Sequence, residues 1–265
     1  MYAETEGIVL KQVKAANGRR MVLLFSEKYG KVSAGTSINE GGRSQAALAM
    51  RPFTHGRYGI YKNRSSYNIS GAEAVKAYYR IGEDVEKYAC ASYVLEFTEK
   101  LLPENAPDRD LFKLLIDFMD LIDTRKKGYM TLVAAFQLKA IQLAGLAPEM
   151  RRCVRCGGDG ELKFLSVAEG GMVCGGCGGS SGTSGNGGSD ADKAKHTEPD
   201  NVELIYSMDF DIIKAMHYFF GNSLKSIEHI ALNEKILEKL MVVIRGYSAY
   251  HLCINELKSE ALLEI

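Results

Sequence analysis

Four of the six cysteines fall into two pairs, Cys153-x-x-Cys156 and Cys174-x-x-Cys177, with 17 residues between the pairs. Thiolates in this pattern have the type and spacing of zinc ligands. Two residues between sulfurs let one tight turn bring both to a single ion, and four sulfurs complete the tetrahedron that Zn2+ prefers. Gly157 and Gly158 follow the first pair, while Gly175, Gly176 and Gly178 lie in and after the second; glycine supplies the positive φ such turns demand. Between the pairs, ELKFLSV reads as a strand, AEGG as a turn and MV as the return, which predicts a zinc-ribbon hairpin over residues 150–178. A closed four-cysteine site leaves no coordination position for water, so the expected Zn2+ is structural rather than catalytic. A redox dithiol or an unmetallated relic is the alternative. A zinc deaminase would need an H-x-E motif, and none of His55, His196, His217, His229 and His251 has that context. Cys90 and Cys253 lie in helical patterns and are read as small buried apolar residues.

The second chemical signal is cationic. The 265 residues carry 33 Lys and Arg against 33 Asp and Glu, a net charge of zero. The balance hides a split, because residues 1–80 hold 13 Lys and Arg and only 5 Asp and Glu. Lys11, Lys14, Arg19, Arg20, Lys28, Lys31, Arg43, Arg51, Arg57, Lys62 and Arg64 recur through that segment, interleaved with Tyr29, Phe53, Tyr58, Tyr61 and Tyr67. Cations neutralise phosphates and aromatic rings stack on unpaired bases, so the segment reads as a polyanion surface. Taken singly, each of these residues is better explained as a solvated strand face or a core ring; it is the segment as a whole that favours a polyanion surface.

The elements that must position these groups follow from periodicity. GIVLKQV and RMVLLFS flank the turn signal at Ala16-Asn17-Gly18, and further β-rich runs occur around VSAGT, LAMRPFTHGRYGIYK and SYNISGAEAV. About five short strands in some 80 residues predict a small closed barrel over 1–80. From 81 to 265 the pattern is helical. EDVEKYACASYVLEFTEKLL stops at Pro103, Asp108 can cap DLFKLLIDFMDLID, and YMTLVAAFQLKAIQLAG ends at Gly145 ahead of Pro148. Residues 178–200 are rich in Gly and Ser, which predicts a flexible loop. Helical patterns resume at DFDIIKAMHYFF and NEKILEKLMVVIRGYSAYHL. The fold class expected is α+β: an N-terminal barrel, then a helical domain into which the metal hairpin is inserted. No apolar run approaches ~18 residues and no basic-then-apolar leader opens MYAETEGIVLKQ, so a cytoplasmic protein without a membrane span is expected. Walker-type and Rossmann phosphate loops are missing, so an enzyme is not expected.

This order resembles the RecO family of bacterial DNA repair proteins. The resemblance rests on EGIVLKQVKAANGRRMVLLFSEKYGKVSAGTSI, on ALAMRPFTHGRYGIYK, on FQLKAIQLAGLAPEMRRCVRCGG, where a helix runs through a Gly-x-x-Pro exit into the first knuckle, and on GYSAYHL with LKSEALL at the close. It implies an N-terminal OB-fold, a helical bundle and a zinc element in a non-enzymatic, nucleoid-associated recombination mediator. Such a protein binds single- and double-stranded DNA, anneals complementary strands, and works with RecR to load RecA onto strands coated by the single-stranded-DNA-binding protein (SSB). The family's pocket for the acidic SSB C-terminal tail maps to the region of Lys126, Lys127 and Lys139. A different class of reading is an RNA-binding or transcription-associated zinc-ribbon protein using the same barrel.

Overall fold

The first two strands carry uninterrupted apolar runs, Ile8–Leu10 and Met21–Phe25, and strands with that pattern must bury both faces. A computed structural model describes residues 2–14, 20–38, 42–64, 66–178 and 204–263, with the backbone alone at 13 and 14. Strands β1 (Tyr2–Lys14), β2 (Arg20–Ser26), β3 (Gly30–Thr36), β4 (Thr54–Lys62) and β5 (Tyr67–Ala77) close into a barrel of order β1-β2-β3-β5-β4. Closure comes from antiparallel pairing of β1 with β4, from Tyr2 opposite Tyr61 to Ile8 opposite His55. The β3–β5 seam is parallel, from Ala34 opposite Tyr67 to Thr36 opposite Ile69. Val9, Val22, Leu24, Val32, Ala34, Tyr58, Ile60 and Ile69 fill the interior. This is the OB-type barrel that the strand count predicts.

Between β3 and β4 the chain departs from the strand reading of LAMRPFTHGRYGIYK. Residues Gln45–Ala49 form helix α1, whose cap Ser44 accepts a hydrogen bond from the Ala47 N–H at 3.1 Å. Ser followed by an alanine-rich run is a helix start. Five residues are too few to show a period, which is why the element was not legible. The helix plugs the barrel: Ala49 and Met50 belong to the barrel core, and the buried Tyr58 hydroxyl donates to the Ala49 carbonyl at 2.6 Å.

After a single turn, α2 (Tyr79–Gly82), come α3 (Val85–Leu101), α4 (Arg109–Thr124) and α5 (Tyr129–Leu143). Asp84 and Asp108 cap α3 and α4, accepting from the N–H groups of Lys87 at 3.1 Å and Leu111 at 2.9 Å, contacts worth about 1 kcal/mol each. Helix α5 is buried nearly all round, including Thr131 and Gln137, and is the central post of the bundle. The cysteine-bearing hairpin follows as β6 (Leu162–Ser166), β7 (Gly171–Cys174) and the one-turn α6 (Gly175–Gly178). A third strand, β8 (Ile205–Ser207), pairs with β6 and was not anticipated. Helices α7 (Phe210–Gly221) and α8 (Glu234–Leu252) complete the bundle. The loop expected over 178–200 lies outside the described residues beyond Gly178.

One hydrophobic core joins the parts. It runs from Ile8, Leu10 and Phe25 of the barrel through α3, α4 and α5 to Leu165, Val167 and Met172 of the hairpin. Phe25 meets Phe112 edge-on at 5.3 Å. At the β2–β3 turn, Gly30 (φ +70) lies so close to Ala106 that a Cβ would stand 2.0 Å from its carbonyl oxygen. The neighbouring Asn105 N–H donates to the Lys31 carbonyl at 2.9 Å. The barrel is therefore seated on the bundle by backbone contact as well as by apolar burial.

Candidate nucleic-acid surface and metal centre

The first knuckle closes through backbone bonds. Cys153 N–H donates to the Gly158 carbonyl at 2.8 Å, and Gly157 N–H returns to the Cys153 carbonyl at 2.9 Å, with Gly157 at φ +73. Pairing of β6 with β7 then delivers the second knuckle to the first, since Val154 N–H donates to Met172 at 2.9 Å and Gly175 N–H to Glu161 at 3.1 Å. The sulfurs of Cys153, Cys156, Cys174 and Cys177 all lie within 4.8 Å of one another, with Cys156 and Cys174 at 3.8 Å. Ligands at about 2.3 Å on tetrahedral corners stand ~3.8 Å apart, so the donor set and its spacing fit a metal ion. Backbone N–H groups of Cys174 and Cys156 hold the Cys153 thiol down to about 6. Cys177, donating to Cys174 and Cys156, is pushed up to about 12. Four sulfurs this close cannot all be thiolates without a cation between them.

The hairpin does not hang free. His251 Nε2 lies 2.7 Å from the Val167 carbonyl and the Tyr247 hydroxyl donates to Leu146 at 2.9 Å, tying hairpin and α5 exit to α8. Arg155 bridges Glu169 at 2.9 Å and donates to the Cys177 carbonyl at 3.0 Å. This is a brace around the sulfurs that sequence spacing did not reveal.

The barrel sorts the cations by position. Lys28 in the β2–β3 turn and Lys62 at the end of β4 converge on Tyr29, each 5.9 Å from its ring centre, and Lys62 also lies 5.4 Å from Tyr67. Arg64 is exposed in the following β4–β5 turn. Arg57 is exposed on β4 with its guanidinium 3.9 Å from Glu6, whose other oxygen lies 3.0 Å from His55. Lys11 is exposed at the mouth of a cleft of about 450 Å³ between barrel and α3. Arg20 stands opposite Thr36 at the start of β2, and Arg43 is exposed ahead of α1. Lys31 is turned towards the bundle, where its ammonium donates to the Glu99 carbonyl. Arg19 and the Lys14 side chain lie outside the described residues.

The aromatics sort as well. Tyr58 is fully buried, and Tyr29 and Tyr67 pack against the barrel core 5.8 Å apart. Phe53 meets Tyr88 of α3 at 5.3 Å. Tyr61 remains on the surface beside Tyr2, a residue the interleaving pattern missed because it precedes the first cation.

Lys126 and Lys127 line a recess of about 370 Å³ with Thr124, Arg125, Glu228 and His229. Arg125 is buried there and gives its guanidinium to the carbonyls of Lys127 at 2.8 Å, Gly128 and Ile227 at 3.2 Å, Glu228 and Ile230. Lys139 is about three turns further along α5. Its ammonium donates to the Phe220 carbonyl at 2.7 Å, and burial lowers its pKa. The fold thus sets the sequence neighbours Lys126 and Lys127 at one recess and commits Lys139 elsewhere, to the Phe220 carbonyl.

No helix among the described residues is long and apolar enough to cross a membrane. Family models for the N-terminal and C-terminal parts of recombination protein O match residues 1–78 and 82–189. A DNA repair protein RecO of Pelotomaculum thermopropionicum is 30% identical over 264 residues, covering 98% of this chain and 93% of the relative. Those of a Thermoanaerobacter species and of Alkaliphilus metalliredigens are 28% and 26% identical, covering 97% and 95% of this chain and 95% and 94% of their own lengths. Matched by both family models and by a relative 30% identical over 98% of its length, the chain belongs to the RecO family of DNA repair proteins.

Proposed function

We propose that this chain is a recombination mediator without catalytic activity. It binds single- and double-stranded DNA through the barrel, anneals complementary strands, and acts with RecR to load RecA onto SSB-coated DNA. The observation that carries the reading is an OB-type barrel, cation-rich on its surface, in a chain matched along nearly its whole length by DNA repair proteins. The physics of annealing supports it: two strands approach only when their phosphate repulsion is screened, and a surface bearing Lys11, Lys28, Arg57, Lys62 and Arg64 supplies that screening. The cysteine cluster, read as a zinc site, substitutes for a core the hairpin is too small to build. Lys126 and Lys127 at their recess are the proposed contact for the acidic SSB tail, by charge alone.

The test is a fluorescence annealing assay at rising salt, paired with capture by an immobilised peptide of the SSB tail. Annealing that falls steeply with salt, together with capture by the peptide, is the expected result. A salt-independent rate, or marked preference for RNA over DNA of the same sequence, would overturn the reading.

A further inference from the structure

We propose that Tyr2 and Tyr61 form a stacking platform for unpaired nucleobases, which lets the barrel prefer single strands over duplex. The inference rests on the DNA-binding reading above and names what that surface grips. Tyr2 and Tyr61 are register partners on β1 and β4, their ring centres 5.0 Å apart and their planes inclined by 50°. They are 50% and 49% exposed, whereas Tyr58 on the same strand is fully buried. The pair is held in place rather than merely exposed. The Tyr2 ring rests on the bare backbone of Gly59, where a Cβ would stand 2.7 Å from its hydroxyl oxygen and 3.0 Å from a ring carbon. The same hydroxyl donates to Glu4 at 3.3 Å.

The surroundings leave room for a flat ligand. Gly59 is opposite Gly71 on β5, and a Cβ at Gly71 would meet nothing within 4 Å, so no side chain rises from the sheet there. Tyr61 itself faces the exposed Asn68 across the β4–β5 ladder. Lys62, the next residue along β4, is directed round the strand end to the Tyr29 and Tyr67 rings, 5.9 and 5.4 Å away, and Arg64 is exposed in the turn that follows. A half-hydrated aromatic pair suits the apolar base of a single strand, and Lys62 and Arg64, round the end of β4, suit the phosphates that run on from it. Glu4 repels phosphate from the Tyr2 hydroxyl edge, so the strand's backbone belongs on the Lys62 and Arg64 side.

Bases in a duplex are already stacked on one another and offer no free π-face. A strand held through Tyr2 and Tyr61 is therefore released from the rings as it pairs, while the phosphate contacts persist. That gives an annealing surface a way to let go of its product.

The experiment uses the full chain at one fixed salt concentration. Fluorescence anisotropy measures affinity for a single-stranded oligonucleotide and for the corresponding duplex, and a 2-aminopurine base in the single strand reports stacking by loss of its fluorescence. Tyr61→Ala, and Tyr2→Ala with it, should lower single-strand affinity on the order of ten-fold or more and leave duplex affinity unchanged. Tyr61→Phe, which keeps the ring and the fold, should retain both the affinity and the quenching. Unchanged single-strand affinity in the alanine variants, or equal loss on both ligands, would overturn the platform while leaving DNA binding intact. Failure of the unsubstituted protein to bind either ligand would overturn the DNA-binding reading itself, and the platform with it.

Discussion

The Lys31 ammonium donates to the main-chain carbonyl of Glu99 over 2.9 Å and lies 3.7 Å from the Glu104 carboxylate. A cation from the basic third of the sequence is thereby committed to seating the barrel on α3. Lys31→Ala should cost about 1–3 kcal/mol of stability and change DNA affinity little. Joint replacement of Lys28 and Lys62 by Ala should do the reverse. Thermal melting and anisotropy on the same samples check both halves of the prediction.

Gly30→Ala tests the same seat from the other side. At φ +70 a side chain is strained, and the clash is with backbone atoms of Ala106 that cannot rotate away. The expected loss is roughly 2–4 kcal/mol, read as a fall in the urea midpoint. Gly145→Ala, at φ +75 with nothing within 4 Å of its Cβ position, is the control. It should lose only the left-handed backbone penalty of about 1–2 kcal/mol.

Glu96 predicts an acid-side weakness. Burial pushes its carboxyl up, but hydrogen bonds from the Ser259 hydroxyl at 2.6 Å, the Ser259 N–H at 2.8 Å and the Lys258 N–H at 3.0 Å outweigh it and hold the pKa below the usual range. A group depressed on folding stabilises above its unfolded pKa, and the contribution is lost as pH falls through the folded value. The C-terminal segment docked on α3 should therefore loosen below about pH 4. Glu96→Gln should be less stable than the unsubstituted protein at pH 7, with the difference shrinking in melts at pH 3.

Metal removal separates scaffold from surface. Protein purified without chelator should contain about one zinc ion per chain. Cys153→Ser with Cys174→Ser should abolish it and lower the melting temperature, while DNA affinity borne by the barrel is largely retained. Metal analysis by mass spectrometry, melting and anisotropy give the three readouts. Protein with full zinc content after both substitutions would dismiss the site.

Much of this molecule is written in short stretches of sequence. The knuckles need only Cys-x-x-Cys and the glycines beside it, and Asp84 and Asp108 act on N–H groups three residues away. The excess of Lys and Arg up to residue 80 is likewise a property of composition, as are the β-rich apolar runs that make the barrel strands. These features are legible because the interactions responsible span a few residues. Helix α1 is local too, yet five residues carry too little periodicity to announce it.

Tertiary structure decided which of those residues can act together. Barrel closure set Tyr2 beside Tyr61 and gathered Lys28 and Lys62 around Tyr29. Docking on α3 and α4 turned Lys31 inward, and the length of α5 kept Lys139 from Lys126 and Lys127. Strand β8 reached the hairpin from the far side of the segment that follows Cys177. Pairing across such separations depends on strand register and on the close packing of one shared core. Residue types announce the available chemistry, but only the closed chain determines which groups share a face.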